Sequence, residues 1–132
     1  MSRLFPKTTE HAEQVALLHW VRLHESRWPE LTLLLAIPNG GHRHPAVAGK
    51  LKAEGVRSGI PDLYLPSARG GAYGLWIEMK APGGKLSQRQ KITLIQLREQ
   101  GYSACVCYGW EDAARTLTDY LAWPRTRGLG AA

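Results

Sequence analysis

The spacing of apolar positions in the first half of the chain predicts a helix, a strand and a second, short helix. A hydroxyl cap and helical spacing predict the first helix over residues 9–28, where a proline follows. Residues 31–37 are apolar on both faces and stop at Pro38-Asn39-Gly40-Gly41, which predicts a strand that enters a turn. A short helix is expected between residues 45 and 55. The positions predicted to face inward from the two helices are Leu17, Trp20, Val21, Trp28, Val47, Ala48 and Leu51.

The second half of the chain predicts a hairpin followed by a helix, a strand and a helix. Two β-rich segments, 62–65 and 74–80, are joined by a glycine-rich loop. A capped helix is predicted over 88–100, a strand over 102–108 and a last helix over 111–122. The positions predicted to pack inward from these helices are Ile92, Leu94, Ile95, Ala114, Leu117 and Leu121.

The resulting order is helix, strand, short helix, strand, strand, helix, strand, helix. A helix connects the last two strands, so these should be parallel, whereas the preceding hairpin is antiparallel. The pattern therefore predicts an α/β fold with a mixed central sheet flanked by helices.

Length and composition favour one domain. The chain has 132 residues, of which 44% are hydrophobic, enough for one core. We expect a single domain over residues 1–123 and a flexible C-terminal tail over 124–132, where glycine and arginine predominate. Since no apolar run is long enough for a membrane span or a signal peptide, we expect a cytoplasmic protein without a membrane partner.

The excess of positive charge is concentrated in the middle of the chain. The formal net charge is +6, and the segment from Arg43 to Lys91 contains nine basic residues against three acidic ones. The remaining residues carry eight of each sign. One interpretation is a surface that meets nucleic-acid phosphates, and the other is a solvated basic surface that serves solubility.

The strand over 74–80 carries an acid and a base on one face. A period of two puts Glu78 and Lys80 on the same side, which is ordinary for a strand with one solvent-exposed face. The turn Gly59-Ile60-Pro61-Asp62 offers a second interpretation, because hairpin pairing can bring Asp62 beside Glu78. Two neighbouring carboxylates suit Mg²⁺ or Mn²⁺, and a lysine beside them can assist an attacking water or neutralise a phosphoryl group.

These residues resemble the signature of the PD-(D/E)xK nuclease superfamily, in which Asp62 precedes Glu78-Met79-Lys80. The ordered set extends to Gly59-Ile60-Pro61-Asp62 and Leu86-Ser87-Gln88-Arg89-Gln90, with Pro38-Asn39-Gly40 upstream. In this order the motifs resemble the VRR-NUC family of virus-type replication and repair nucleases, over about residues 9–121. The resemblance implies a restriction-endonuclease-like αβββαβ core.

The resemblance also implies a role for each matching residue. Asp62 and Glu78 would be catalytic metal ligands, the backbone carbonyl of Met79 would add a third ligand, and Lys80 would serve the attacking water. Glu13 matches the acid of the family's first helix and would reach the metal through water. Its alternative is a solvated position favoured by the helix dipole.

The helix after the site carries a further match. Gln90 corresponds to a glutamine of the family that would lie near the lysine and the metal, but Ser87 and Gln90 also form a capping box. The residues expected to contact DNA are Lys85, Arg89, Lys91, Arg43, Asn39 and Ser87.

The family resemblance implies a metal-dependent, structure-selective DNA endonuclease. Stand-alone members similar to this chain act as homodimers on branched DNA, especially four-way (Holliday) junctions, in the cytoplasm of a bacterial or phage-infected cell. Two alternatives stay open at this point. One is a nuclease for flaps, single strands or RNA, and the other is a nucleic-acid-binding module without catalysis.

Overall fold

Residues 7–38 and 44–128 form four α-helices and four strands in the predicted order. A computed structural model describes these residues. The elements are α1 (Glu10–His24), β1 (Leu35–Ala36), α2 (Pro45–Ala53), β2 (Leu63–Leu65), β3 (Leu75–Lys80), α3 (Gln88–Glu99), β4 (Ser103–Tyr108) and α4 (Trp110–Ala122), with a 3-10 helix at Pro29–Leu33 between α1 and β1.

The four strands form one mixed sheet in the order β1-β2-β3-β4. Strands β1, β2 and β3 are successively antiparallel, while β3 and β4 run parallel. The parallel pair follows from the connection through α3, since parallel neighbours need a crossover. The predicted α/β class and mixed sheet are confirmed.

One face of the sheet forms the core together with α1 and α4. Alternate residues of β2 and β3 point to this face, and both helices place apolar side chains against it. Removing one such leucine side chain from water contributes about 2 kcal/mol. The core residues on the sheet and the two helices include Leu63, Leu65, Leu75, Ile77, Met79, Leu17, Val21, Leu117 and Leu121.

Helix α1 is shorter than predicted, and so is the strand after it. Thr9 caps the helix by accepting a hydrogen bond from the Ala12 backbone, as expected, but the helix ends at His24. There Nδ1 of His24 lies 2.7 Å from the Trp20 carbonyl oxygen. The 3-10 helix then begins with Pro29, which has the φ angle that a first helical turn requires. Only two residues of the predicted strand over 31–37 therefore pair in the sheet as β1.

Two inward predictions for α3 are wrong. Leu94 is buried, whereas Ile92 and Ile95 are 46% and 51% exposed. The reason is that α3 contacts the sheet along one narrow line next to β4, where Arg98 donates from Nε to the Ala104 carbonyl oxygen at 2.8 Å. Leu94 and Arg98 are one helical turn apart and form this line.

The residues that follow α4 are paired with the loop between β2 and β3. Gly70 donates from its backbone nitrogen to the Pro124 carbonyl oxygen at 2.8 Å, and Thr126 donates to that of Ala68 at 3.1 Å. The expected flexible tail thus begins with hydrogen-bonded residues, and its last four residues lie outside the described ones.

Candidate active site

The register of the hairpin brings two carboxylates together. Leu63 pairs with Ile77, so Asp62 and Glu78 lie opposite each other one position further along the two strands. Asp62 Oδ2 accepts a hydrogen bond from the Met79 backbone nitrogen at 2.7 Å. The Asp62 carbonyl oxygen in turn accepts from the backbone of Ile37 at 2.8 Å. Asp62 is therefore fixed by hydrogen bonds on both sides, and its carboxylate lies next to β3.

Glu78 is buried, which changes its acid–base behaviour. Its relative exposure is 2%, although it carries an ionisable group. Burial raises the pKa of Glu78 to about 9, and the hydrogen bond to the Asp62 carboxyl and its charge add to the increase. The nearby charge of Lys80 opposes this shift. At neutral pH, therefore, Glu78 carries a proton when no cation is bound.

One oxygen of Glu78 has no visible partner. Oε1 is buried and accepts no hydrogen bond from any residue in the described parts of the chain. A buried oxygen without a hydrogen bond is costly, and ionisation of Glu78 would add repulsion from the Asp62 carboxylate beside it. A divalent cation bound by both groups removes both costs, so this donor set fits Mg²⁺ or Mn²⁺.

Lys80 is also buried, at 6% exposure, and it lies between two acids. Its Nζ is 3.1 Å from Glu10 Oε1 and 4.0 Å from Glu78 Oε2. The alternative of a plain solvent-exposed polar face on β3 is therefore excluded for Glu78 and Lys80. A buried ammonium needs a compensating charge, and Glu10 supplies one from the first turn of α1.

Sequence reasoning missed Glu10 and chose Glu13, one turn later. Glu13 Oε1 accepts a hydrogen bond from the Trp110 backbone nitrogen at 2.8 Å. Helix α4 begins after Gly109, which has no side chain to cap it, so Glu13 acts as that cap from another helix. The role of Glu13 toward a metal through water stays a prediction. The available signal for Glu10 was its place among the first-turn acids of α1.

Gln90 and Ser87 make the reciprocal contacts of a capping box. Ser87 donates from its backbone to Gln90 Oε1 at 2.9 Å, and Gln90 donates from its backbone to Ser87 Oγ at 3.1 Å. One of the two lone pairs of Gln90 Oε1 is thus engaged at the start of α3, and the second lone pair and the amide N–H groups can still contact a substrate.

The predicted DNA contacts of the α3 region are exposed side chains. Lys85, Arg89 and Lys91 are all solvent-accessible, and none has a salt-bridge partner among the residues described. Asn39 and Arg43 lie outside the described residues. No group of three His, Cys, Asp or Glu residues in 7–38 and 44–128 gathers around one point, so two carboxylates are the side-chain ligands on offer.

The ordered motifs and this pair of carboxylates agree with a comparison against known families. The model of the VRR-NUC domain matches residues 8–111. The chain belongs to the VRR-NUC domain family. This is a family of nuclease domains, and the matched segment runs from the residues just before α1 to the start of α4 and includes all residues of the proposed site.

Two similar proteins support the assignment. Fanconi-associated nuclease 1 of Danio rerio is 32% identical over 110 residues, which are 82% of this chain. The match spans only 11% of that relative, so this chain corresponds to a small part of it. A solved structure described as a VRR_NUC domain protein has a TM-score of 0.74 and 28% identity, covering 88% of this chain and 90% of its own. The fold is therefore that of the family.

Within 7–38 and 44–128, no helix has the length and apolar character that crossing a bilayer requires.

Proposed function

We propose that this VRR-NUC domain is a metal-dependent DNA endonuclease of the PD-(D/E)xK type. Its site consists of Asp62, Glu78 and Lys80, with Glu10 as a positioning residue for the lysine. The observation that carries the proposal is the buried Glu78 oxygen without a hydrogen bond, which lies beside a second carboxylate and a buried lysine. Membership in a family of nuclease domains supports hydrolysis of phosphodiester bonds.

The carboxylates of Asp62 and Glu78 would hold the cation, and the Met79 carbonyl is the proposed backbone ligand. Mg²⁺ or Mn²⁺ at this place supplies Lewis-acid chemistry that makes water a better nucleophile and polarises the phosphate. The hydrogen bond from Met79 keeps the Asp62 carboxylate oriented toward β3.

Lys80 has a distinct task in this proposal. Its ammonium lies within 4.0 Å of Glu78 Oε2, so it is close enough to donate a hydrogen bond to an attacking water or to a phosphate oxygen at the site. The contact with Glu10 at 3.1 Å limits the rotamers of the long side chain. Orientation by Glu10 therefore reduces the entropy that Lys80 would lose on meeting the substrate.

Branched DNA is the proposed substrate, with four-way junctions preferred, and a homodimer is the proposed assembly. A symmetric dimer presents two equivalent sites and can cut two strands at related positions. The basic central segment of the sequence supports DNA as the partner.

The test is a cleavage panel with labelled four-way junction, flap, linear duplex, single-stranded DNA and RNA, in Mg²⁺ or Mn²⁺ and in EDTA. We expect paired cuts in the four-way junction when either Mg²⁺ or Mn²⁺ is present, and no cuts in EDTA. Cutting that persists in EDTA would contradict the metal site. Cutting of flaps, single strands or RNA without cutting of the junction would show that the proposed substrate is wrong. Binding of these nucleic acids without cleavage of any of them, in either metal, would show that the domain is a binding module.

A further inference from the structure

Helix α2 is set apart from the rest of the domain. It contributes no buried residue, and no other described helix or strand has its backbone close to that of α2. Val47, which the sequence predicted to face inward, is 47% exposed. Most helices in proteins are stabilised by packing an apolar face, so a nine-residue helix without such packing is marginal by itself.

A cleft of about 520 Å³ separates the end of α2 from the start of α3. Its floor is partly apolar, because Leu51 and Val56 are half-buried there. Three cationic side chains, Lys52, Arg57 and Arg89, line it, and no acidic residue of the described chain does. None of the three has a salt-bridge partner among residues 7–38 and 44–128. The cleft is thus lined by positive charges that no described acidic residue pairs with.

The cleft is physically connected to the candidate active site. Gly59 has a φ angle of +82°, and the methylene groups of Arg89 pack against it so closely that a Cβ there would collide with them. The same turn continues to Asp62. Arg57 is five positions before Asp62, and five residues span at most roughly 17 Å. One strand of B-form DNA rises 3.4 Å per nucleotide, so this backbone separation corresponds to about five nucleotides, to which the reach of the side chains adds.

We propose that this cleft is a binding subsite for the backbone phosphates of DNA that flank the bond at the carboxylates. The proposal rests on the action on DNA proposed above and adds Lys52 and Arg57 to the contact surface. The guanidinium of Arg57 can hold a phosphate through two parallel hydrogen bonds, while Lys52 acts as a point charge.

The test compares DNA binding by wild type and by the double variant Lys52→Gln/Arg57→Gln. Binding is measured in EDTA, so the result does not depend on cleavage activity. Each phosphate contact contributes about 0.9 to the slope of log affinity against log salt in duplex DNA. Loss of two contacts should therefore reduce the magnitude of the slope by about 1.8. The ratio of the wild-type affinity to the variant affinity should then fall about 12-fold between about 0.05 and 0.2 M salt. Both side chains are exposed, so folding should be unaffected.

The matched control is Arg22→Gln/Arg115→Gln. It removes the same charge from the last turn of α1 and from α4, and should leave the slope close to that of wild type. Equal affinity and slope for the cleft variant and wild type would overturn the subsite while leaving the nuclease proposal intact. An equal loss in the control variant would show a general charge effect and would also overturn it. Failure of wild type to bind any DNA would instead overturn the proposed function.

A second measurement locates the contact. Uncharged methylphosphonate linkages are placed one at a time in a labelled junction strand. We expect at least one position at which the linkage weakens binding to wild type but not to the double variant, since the same contact cannot be lost twice. Additive losses at every position would overturn the assignment. If binding weakened only with strands that carry a terminal phosphate, the cleft would bind that phosphate, and the proposed contact with internal backbone phosphates would be overturned.

Discussion

The buried carboxyl of Glu78 should make the metal-free protein less stable as the pH rises. Its pKa is about 9 in the folded chain, against 4.5 when unperturbed. Between these values the folded state holds one proton more than the unfolded state, so the free energy of unfolding falls with increasing pH. This contribution is fully present below pH 4.5 and is lost progressively up to pH 9.

The size of the effect follows from the same two values. One pKa unit corresponds to about 1.4 kcal/mol, so the loss at pH 7, 2.5 units above 4.5, is at most about 3 to 4 kcal/mol. Water that reaches the half-buried Asp62 screens the pair and reduces this figure. The substitution Glu78→Gln removes the titration but keeps the size of the side chain and a neutral donor for Asp62. The variant should therefore be the more stable protein at pH 7 in EDTA.

The assay is urea unfolding in EDTA at about pH 5, 7 and 8.5 for both proteins. The stability difference should be small at the lowest pH and should increase in favour of Glu78→Gln at each higher pH. Glu99→Gln, at an exposed position at the end of α3, serves as the control and should show a difference that does not change with pH. A constant difference between Glu78→Gln and wild type would refute the reasoning, because Glu78 would then be ionised throughout.

Three further predictions concern the same region. Affinity for Mg²⁺ or Mn²⁺, measured by calorimetry, should rise by up to about tenfold per pH unit below pH 9, because binding displaces the proton of Glu78; a pH-independent affinity would place the ion elsewhere. Glu13→Ala should lower the free energy of unfolding by about 1 kcal/mol, because the Trp110 amide loses its acceptor; no change would exclude the capping role. Ser87→Ala should cost about 1 kcal/mol through loss of the Gln90 backbone contact, and unchanged urea unfolding would contradict this.

The order of elements and the pairing of the carboxylates could be predicted from the sequence. Alternation in β2 and β3, a glycine-rich connection and a capped α3 are local signals, and together they determine the hairpin and the parallel crossover. The register that sets Asp62 opposite Glu78 follows from that hairpin. These signals depend on residues that are close in the sequence, so they can be recognised in a single sequence.

Features that depend on which surfaces meet could not be predicted in this way. The periodicity of α3 does not reveal that only a narrow line of the helix contacts the sheet, so Ile92 and Ile95 were placed inward. Glu10 and Glu13 are both first-turn acids of α1, and only the packing of α1 against β3 and α4 decides which one reaches Lys80. The separation of α2 from the body also depends on tertiary contacts.

The most direct test of the proposed active site is the single-turnover cleavage rate of Lys80→Met on a four-way junction in Mg²⁺. Methionine keeps much of the buried volume but removes the charge next to Glu78. Circular dichroism and DNA affinity in EDTA establish that the variant folds and binds. We predict that cleavage falls at least about a hundredfold while DNA affinity is maintained. Cleavage by a folded Lys80→Met at the wild-type rate would contradict the proposed active site.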